Sequence, residues 1–195
     1  EKVFAAWAVL TIAGIIILDC LNIGWFNAVV DCLAAVSTGG FSPHDGSLAG
    51  LESHPAQAVI ILLCVAGGIS LIFYHRVTHE GRSVLLKDVQ VRGFLIAGLL
   101  MTILTSWSLG MDNGFEWPEA IGHGALNALS AQSTAGFTSL NISEITAGSK
   151  LLLIFSMFSG GTVGSTAGGI KILRLLILIH LFYLVLQRTG TPGMH

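Results

Sequence analysis

Ser37-Thr38-Gly39-Gly40-Phe41-Ser42 and Ser133-Thr134-Ala135-Gly136-Phe137-Thr138 are two copies of one pattern, S-T-x-G-F-[ST], at an offset of 96 residues (37 to 133). Self-similarity of this kind takes precedence over any single motif in deciding a fold. The same order of segments surrounds both copies. In the first, an apolar run at 3–21 precedes a shorter one at 25–36, then the S-T-G-G-F-S loop, then a further apolar run at 55–73 opened by Pro55. In the second, 93–110 precedes 119–132, then the S-T-A-G-F-T loop, then a long apolar segment at 150–186. That last segment is broken by Gly160-Gly161-Thr162-Val163-Gly164-Ser165-Thr166-Ala167-Gly168-Gly169.

Composition supplies the solvent. The 195 residues are 53% hydrophobic and 10% charged, and the mean hydropathy is +0.79; soluble domains carry about 25% charged residues. Apolar runs near bilayer length in such a chain point to an integral membrane protein. The formal net charge of -2 leaves no basic surplus for a nucleic-acid backbone. Cys20, Cys32 and Cys64 show no metal-ligand or disulfide spacing and read as small buried hydrophobes. The chain begins at Glu1 and reads as a piece of a longer protein.

The short runs decide the architecture. Twelve residues at 25–36 make a helix of about 18 Å, whereas the hydrocarbon core is roughly 30 Å thick. Such a helix goes halfway in and returns as a loop. The expected fold is therefore an all-α integral membrane protein built of two repeated units, each a span, a re-entrant half-helix, a Gly-rich loop and a span. Residues 1–80 form the first unit, 81–92 a cytoplasmic linker, and 93–195 a second unit whose last helix is interrupted at 160–170. Segment 75–92 carries Arg76, Arg82, Lys87 and Arg92, whereas 42–55 and 111–120 carry Asp45, Glu52, Asp112, Glu116 and Glu119 without Lys or Arg. By the positive-inside rule the linker is cytoplasmic and both loops enter from outside. The two units share one orientation, unlike the inverted repeats common in secondary carriers.

Non-helical backbone at membrane depth is tolerated where it lines a water-filled path or is buried in protein. Gly39, Gly40 and Gly136 allow angles that bring successive carbonyls to one axis, where they replace the hydration shell of a cation. Thr38 and Thr134 add a hydroxyl or carbonyl each. The half-helices aim their negative C-terminal ends at the loops, which favours cations.

The two loops, together with G-G-T-V-G-S-T-A-G-G-I-K-I-L-R at 160–174, resemble the Trk/Ktr/HKT superfamily of potassium transporters, with the bacterial Trk-type membrane subunit the nearest likeness. The resemblance covers almost the whole chain and corresponds to the second and third of the family's four units; it implies an all-α integral membrane fold of repeated membrane-pore-membrane (potassium-channel-like) units with re-entrant pore helices and selectivity-filter loops. It implies an ion-binding filter at Ser37, Thr38, Gly39, Gly40, Phe41, Ser133, Thr134, Ala135, Gly136 and Phe137. Potassium would be held at Thr38, Gly39, Gly40, Thr134, Ala135 and Gly136. It implies a gate at Gly160, Gly161, Gly164, Ser165, Thr166, Gly168, Gly169, Lys171 and Arg174. It further implies uptake of K+ through the cell inner membrane, a homodimer within membrane lipid, and a cytosolic nucleotide-binding (TrkA-like) regulatory subunit. No cofactor is expected beyond K+ as cargo, and no enzymatic activity.

Other readings of the residues have less support. Ile170 separates Gly169 from Lys171, so no Walker A loop is present, and Ser165 lacks the flanking glycines of a hydrolase elbow. Lys171 and Arg174 read either as a barrier or gate anchor, or as cytoplasmic head groups in water. Asp31, and Asn127 at the matching place, read as polar structural groups. His180 reads as a satisfied or interfacial histidine. Gly67-Gly68 reads as a close helix contact, and Trp25, Trp107, Trp117 and Tyr74 as interface anchors. The alternative function is a membrane-embedded scaffold or enzyme whose re-entrant loops hold a substrate other than an ion.

Overall fold

The computed structural model describes residues 2–51, 53–80 and 88–190. Glu52, and Arg82 and Lys87 in the basic linker, lie outside the described residues. Helix α1 (Lys2–Cys20) leads through a turn to α2 (Trp25–Val36), and after the first repeated loop a short 3-10 turn (Ser47–Gly50) leads to α3 (His54–Gly68) and α4 (Leu71–Glu80). The second half runs α5 (Val89–Asp112), α6 (Trp117–Gln132), the second repeated loop, α7 (Ala147–Phe158) and α8 (Ile172–Gly190). Two-residue strands β1 (Ser159–Gly160) and β2 (Ile170–Lys171) pair in parallel between α7 and α8. Stretches Val3–Cys20 and Val89–Asp112 are long and apolar enough to cross a membrane.

Local signals set the helix starts. Asp88 caps α5 by accepting the N–H groups of Gln90 at 2.9 Å and Val91 at 3.3 Å, so this helix begins four residues before the apolar run at 93–110. Ser53 caps α3 and Thr146 caps α7 in the same way, and Pro55 and Pro118 occupy first turns where no amide hydrogen is needed.

The halves are built alike. A long helix, a short helix and a third helix pack together in each, α1 with α2 and α3, and α5 with α6 and α7. Small residues permit the approach: a Cβ at Gly14 would lie 2.5 Å from Cys32 Sγ, and one at Gly124 would overlap Ser106. The halves meet where α3 packs on α6. The main core holds Leu18, Cys32, Val36, Ile60 and Cys64 of the first half and Ala135 and Phe137 of the second, so it crosses the boundary between the repeats. Cys32 and Cys64 are buried as expected; Cys20, on the outward side of the last turn of α1, is exposed.

One break was absent from the sequence reading. The run at 55–73 is two helices, interrupted at Ile69 and Ser70. Tyr74, read as an interface anchor, donates its hydroxyl to the Ala66 carbonyl at 2.8 Å, a second bond on the acceptor that already takes the Ile69 N–H at 3.2 Å where the helix stops.

Candidate functional site

Both short helices end in the same hydrogen-bonded terminus. Thr38 N–H reaches Ala35 O at 3.0 Å and Gly39 N–H reaches Ala34 O at 2.7 Å; Thr134 N–H reaches Ala131 O at 2.9 Å and Ala135 N–H reaches Ser130 O at 3.1 Å. This is the double closure of a Schellman motif, with a threonine in the left-handed position that glycine usually takes. Thr38 has φ 54° and Thr134 φ 57°. Two residues later the chain turns left-handed again, at Gly40 (φ 69°) and Gly136 (φ 87°). The variable position between them does not have positive φ, which is why Gly39 and Ala135 are interchangeable there while 40 and 136 are both glycine. The S-T-x-G pattern is thus a record of backbone handedness.

The two loops touch. A Cβ at Gly40 would overlap the Ala135 carbonyl oxygen, whereas one at Gly136 meets nothing within 4 Å. Ser37 and Ser133 turn their hydroxyls back onto their own helices, to Leu33 O at 2.7 Å and Ser130 O at 3.0 Å. Phe137 is 1% exposed in the core of the first half, whereas Phe41, its counterpart, is 77% exposed.

The glycine-rich segment 160–171 is held against both loops on the side of the helix termini. Thr166 Oγ1 lies 3.1 Å from Val36 O, 3.0 Å from Gly67 O and 3.5 Å from Thr38 Oγ1, and Gly168 N–H donates to Thr134 Oγ1 at 2.6 Å. Its seat is the break between α3 and α4. Gly68 O accepts from Thr162 N–H at 2.9 Å, Gly67 O accepts from Thr166 N–H at 3.2 Å, and Ser70 N–H donates to Thr162 Oγ1 at 2.7 Å. Gly67 lies against Val36 O and Gly161 against Gly68 O, so neither position has room for a Cβ. Gly68 also gives the close helix contact expected of the pair, since a Cβ there would lie 2.8 Å from the Phe94 ring of α5; loop docking is a second role that the pair carries. The signal was its place in the repeat, since Gly160-Gly161 stands at the matching point of the second half.

Lys171 folds back over this segment. Its ammonium donates to Ala167 O at 2.5 Å and to Ser165 O and Oγ at 3.3 Å each, a staple across its last turn. Gly164 (φ 81°) and Gly169 (φ 69°) supply the two left-handed corners. Arg174, one turn farther along α8, is exposed, as is His180. On the opposite side Gln90 Oε1 accepts the Val163 N–H at 3.1 Å. Gln90 and Val163 line a 140 Å³ cavity together with Arg76 and Asp88, whose charged groups lie 3.8 Å apart. Sequence reasoning passed over Thr162 and Gln90, because their partners are distant along the chain.

Behind the second loop, Asn127 donates to Ser139 Oγ at 2.8 Å and accepts Ser139 N–H at 3.2 Å, the structural role expected of it. Asp31, at the matching place in α2, is buried.

The comparisons with known proteins agree with one another. A family model described as TrkH, cation transport protein, matches residues 4–192. The Trk system potassium uptake protein TrkH of Halomonas elongata is 30% identical over 190 residues, which cover 92% of this chain and 38% of the relative. The Trk system potassium uptake protein TrkG of Escherichia coli K12 is 29% identical over 185 residues, covering 88% and 36%. The crystal structure of the potassium transporter TrkH from Vibrio parahaemolyticus superposes with a TM-score of 0.90 at 25% identity, covering 98% of this chain and 42% of that one. The chain spans about two fifths of the length of these relatives. With this coverage of family model and fold, the chain belongs to the TrkH family of cation transport proteins.

Proposed function

We propose that this chain forms half of the wall of a potassium pathway through the cell membrane. In it, α2 and α6 are re-entrant pore helices, the two S-T-x-G-F loops are parts of a backbone-carbonyl filter, and segment 160–171 is an intramembrane gate. The observation that carries the reading is the shared backbone of the loops. Left-handed residues at 38 and 40, and at 134 and 136, alternate with residues of ordinary handedness. Alternation of this kind turns successive peptide units to the same side of the chain. A column of carbonyl oxygens of that sort is what a dehydrated K+ requires.

The unequal surroundings of the two loops support a larger ring. Phe137 is seated in the preceding unit, and Gly40 is closed by the following unit's carbonyl; Phe41 and Gly136 are the two members of this set without such a neighbour. One unit before and one after would complete both contacts. The loops enter from outside, and the linker that contains residues 81–92 faces the cytoplasm. Lys171 acts as the gate's internal anchor. A homodimer with a cytosolic nucleotide-binding regulatory subunit is the assembly in which we place it.

The test is ion flux in liposomes holding the complete parent protein, with any regulatory partner supplied, comparing K+, Rb+ and Na+. Rapid K+ and Rb+ flux whose preference over Na+ is lost in Gly136→Ser supports the filter. Absence of monovalent cation flux from folded protein rejects it and returns the loops to a role in holding another substrate.

A further inference from the structure

The second loop continues through Thr138 to Ser139, whose side chain is buried. Asn127 grips Ser139 twice, by Nδ2 on its Oγ at 2.8 Å and by Oδ1 on its N–H at 3.2 Å, and also donates from Nδ2 to His123 O at 2.7 Å. The Ser139 hydroxyl proton still needs an acceptor, and His123 Nδ1 lies 2.9 Å from Ser139 Oγ. With Nδ1 unprotonated, the Asn127 amide hydrogens, the Ser139 N–H and the Ser139 hydroxyl proton all have acceptors within the bracket. A protonated imidazole has no lone pair at Nδ1, so it becomes a second donor to Ser139 Oγ and strands the hydroxyl proton in a buried place.

Protons have a route to the ring. His123 lines a cleft of about 550 Å³ between α6 and the start of α3, with His54, Gln57, Glu119 and Gly122. Burial of the ring holds its pKa below the ordinary histidine value; Glu119, one turn back on α6, works against this and His54 of α3 adds to it. The Phe115 ring, 5.9 Å away, is neutral, and Lys150 of α7 is committed to Ser143 O at 3.0 Å. In the first unit the matching positions 27, 31 and 43 are Asn27, Asp31 and Pro43, so the triad is not repeated; there Asp31 lies beside Ser42 and His44 instead.

We propose that Asn127, Ser139 and His123 form an external proton sensor on the second loop, in which neutral His123 holds the loop in its selective geometry and protonation releases it. This rests on the filter reading above. His123 is a positioning residue: it acts on the ion path through Ser139.

The complete parent protein in liposomes, titrated on the outside from about pH 7.5 down to about pH 4.5, because burial moves protonation of this ring below the ordinary histidine range, tests this through the K+:Na+ flux ratio. The ratio is expected to fall about tenfold in the wild type, the ordinary size of a coupling between two sites. It should stay level in His123→Gln, whose carbonyl accepts from Ser139 at any pH, and should still fall in His44→Gln, which changes the histidine beside the first loop. A level wild-type ratio, or a fall in His123→Gln equal to that of the wild type, overturns the proposal. Amide-exchange protection of 134–140, divided by that of α1 to cancel the intrinsic effect of pH, tests the bracket without any flux. Protection should drop on acidification in the wild type and hold in His123→Gln. Were flux absent while protection followed this pattern, the potassium reading would fail and the proton-sensitive bracket would stand; unchanged protection in the wild type overturns the bracket.

Discussion

Gly40 and Gly136 stand at equivalent points of a repeat and have the same backbone handedness, yet a methyl group would meet different neighbours at each. At 136 an added Cβ has open space, so Gly136→Ala carries only the left-handed penalty, about 1–2 kcal/mol. At 40 the Cβ would run into the Ala135 carbonyl, which belongs to backbone and has no rotamer to escape by. Gly40→Ala should therefore lose more than about 3 kcal/mol, a size that single substitutions reach only by such specific mechanisms. Thermal unfolding of the complete protein in detergent separates the two, and equal losses would mean that the loops are not in contact. The left-handed threonines carry a related lesson. Thr38 and Thr134 hold an unfavourable φ because the Schellman closure and their contacts to segment 160–171 over-determine it.

The glycine-rich segment owes its position to hydrogen bonds that the helix break supplies. An uninterrupted α3 would use Gly67 O and Gly68 O internally; stopping at Gly68 frees both for Thr162 and Thr166. Thr166→Val keeps the shape and removes the hydroxyl shared by Val36 O and Gly67 O. Loss of about 1 kcal/mol from the docked state raises the undocked population roughly fivefold. The expected result is a rise of about that size in unstimulated Rb+ flux through the complete protein, and an unchanged rate would separate docking from conduction. Lys171→Met removes three polar contacts within the segment at nearly constant length. It should raise the same flux while leaving the K+:Na+ ratio near its wild-type value, since the Lys171 ammonium bonds to Ser165 and Ala167 inside the segment and not to either repeated loop. A shift in the ratio instead would tie Lys171 to the filter.

Taken as a body, the two halves are stitched by exchange of parts. Phe137 of the second half completes the core of the first, and Thr138 is tied to the first half's outer turn, its N–H to Ser47 Oγ at 3.2 Å and its carbonyl to Ala49 N–H at 3.2 Å. Gln57 secures that turn from α3, donating to Leu48 O and Leu51 O. If each unit seats its loop in the one before, Phe41 is an interior residue of the complete protein despite its exposure here. Phe41→Ala in that protein should then lose about 3–5 kcal/mol, like Phe137→Ala, as buried phenylalanines do. Calorimetric unfolding of both variants decides it, and a neutral Phe41→Ala would mean that no preceding unit receives the ring.

What the amino-acid order determined by itself is what depends on neighbours along the chain. The limits of α2, predicted at 25–36, coincide with the helix, because a run of apolar residues between Gly24 and the S-T-G-G turn is a local pattern. The repeat and the breaks at loops were legible for the same reason; the handedness was read only in part, because Gly39 was grouped with Gly40 and Gly136, whereas the positive φ falls at 40 and 136 and at the threonines 38 and 134. The tertiary structure alone decided the contacts between segments far apart. Thr166 reaches Val36 across 130 positions, Val163 reaches Gln90 across 73, and Ser70 and Thr162 meet across 92. Nothing in the local pattern marks such partners, because a hydrogen bond requires only that donor and acceptor meet in space. The same holds for the break after Gly68: its glycines were visible, but what made an interrupted helix acceptable was a second segment ready to take up the freed carbonyls.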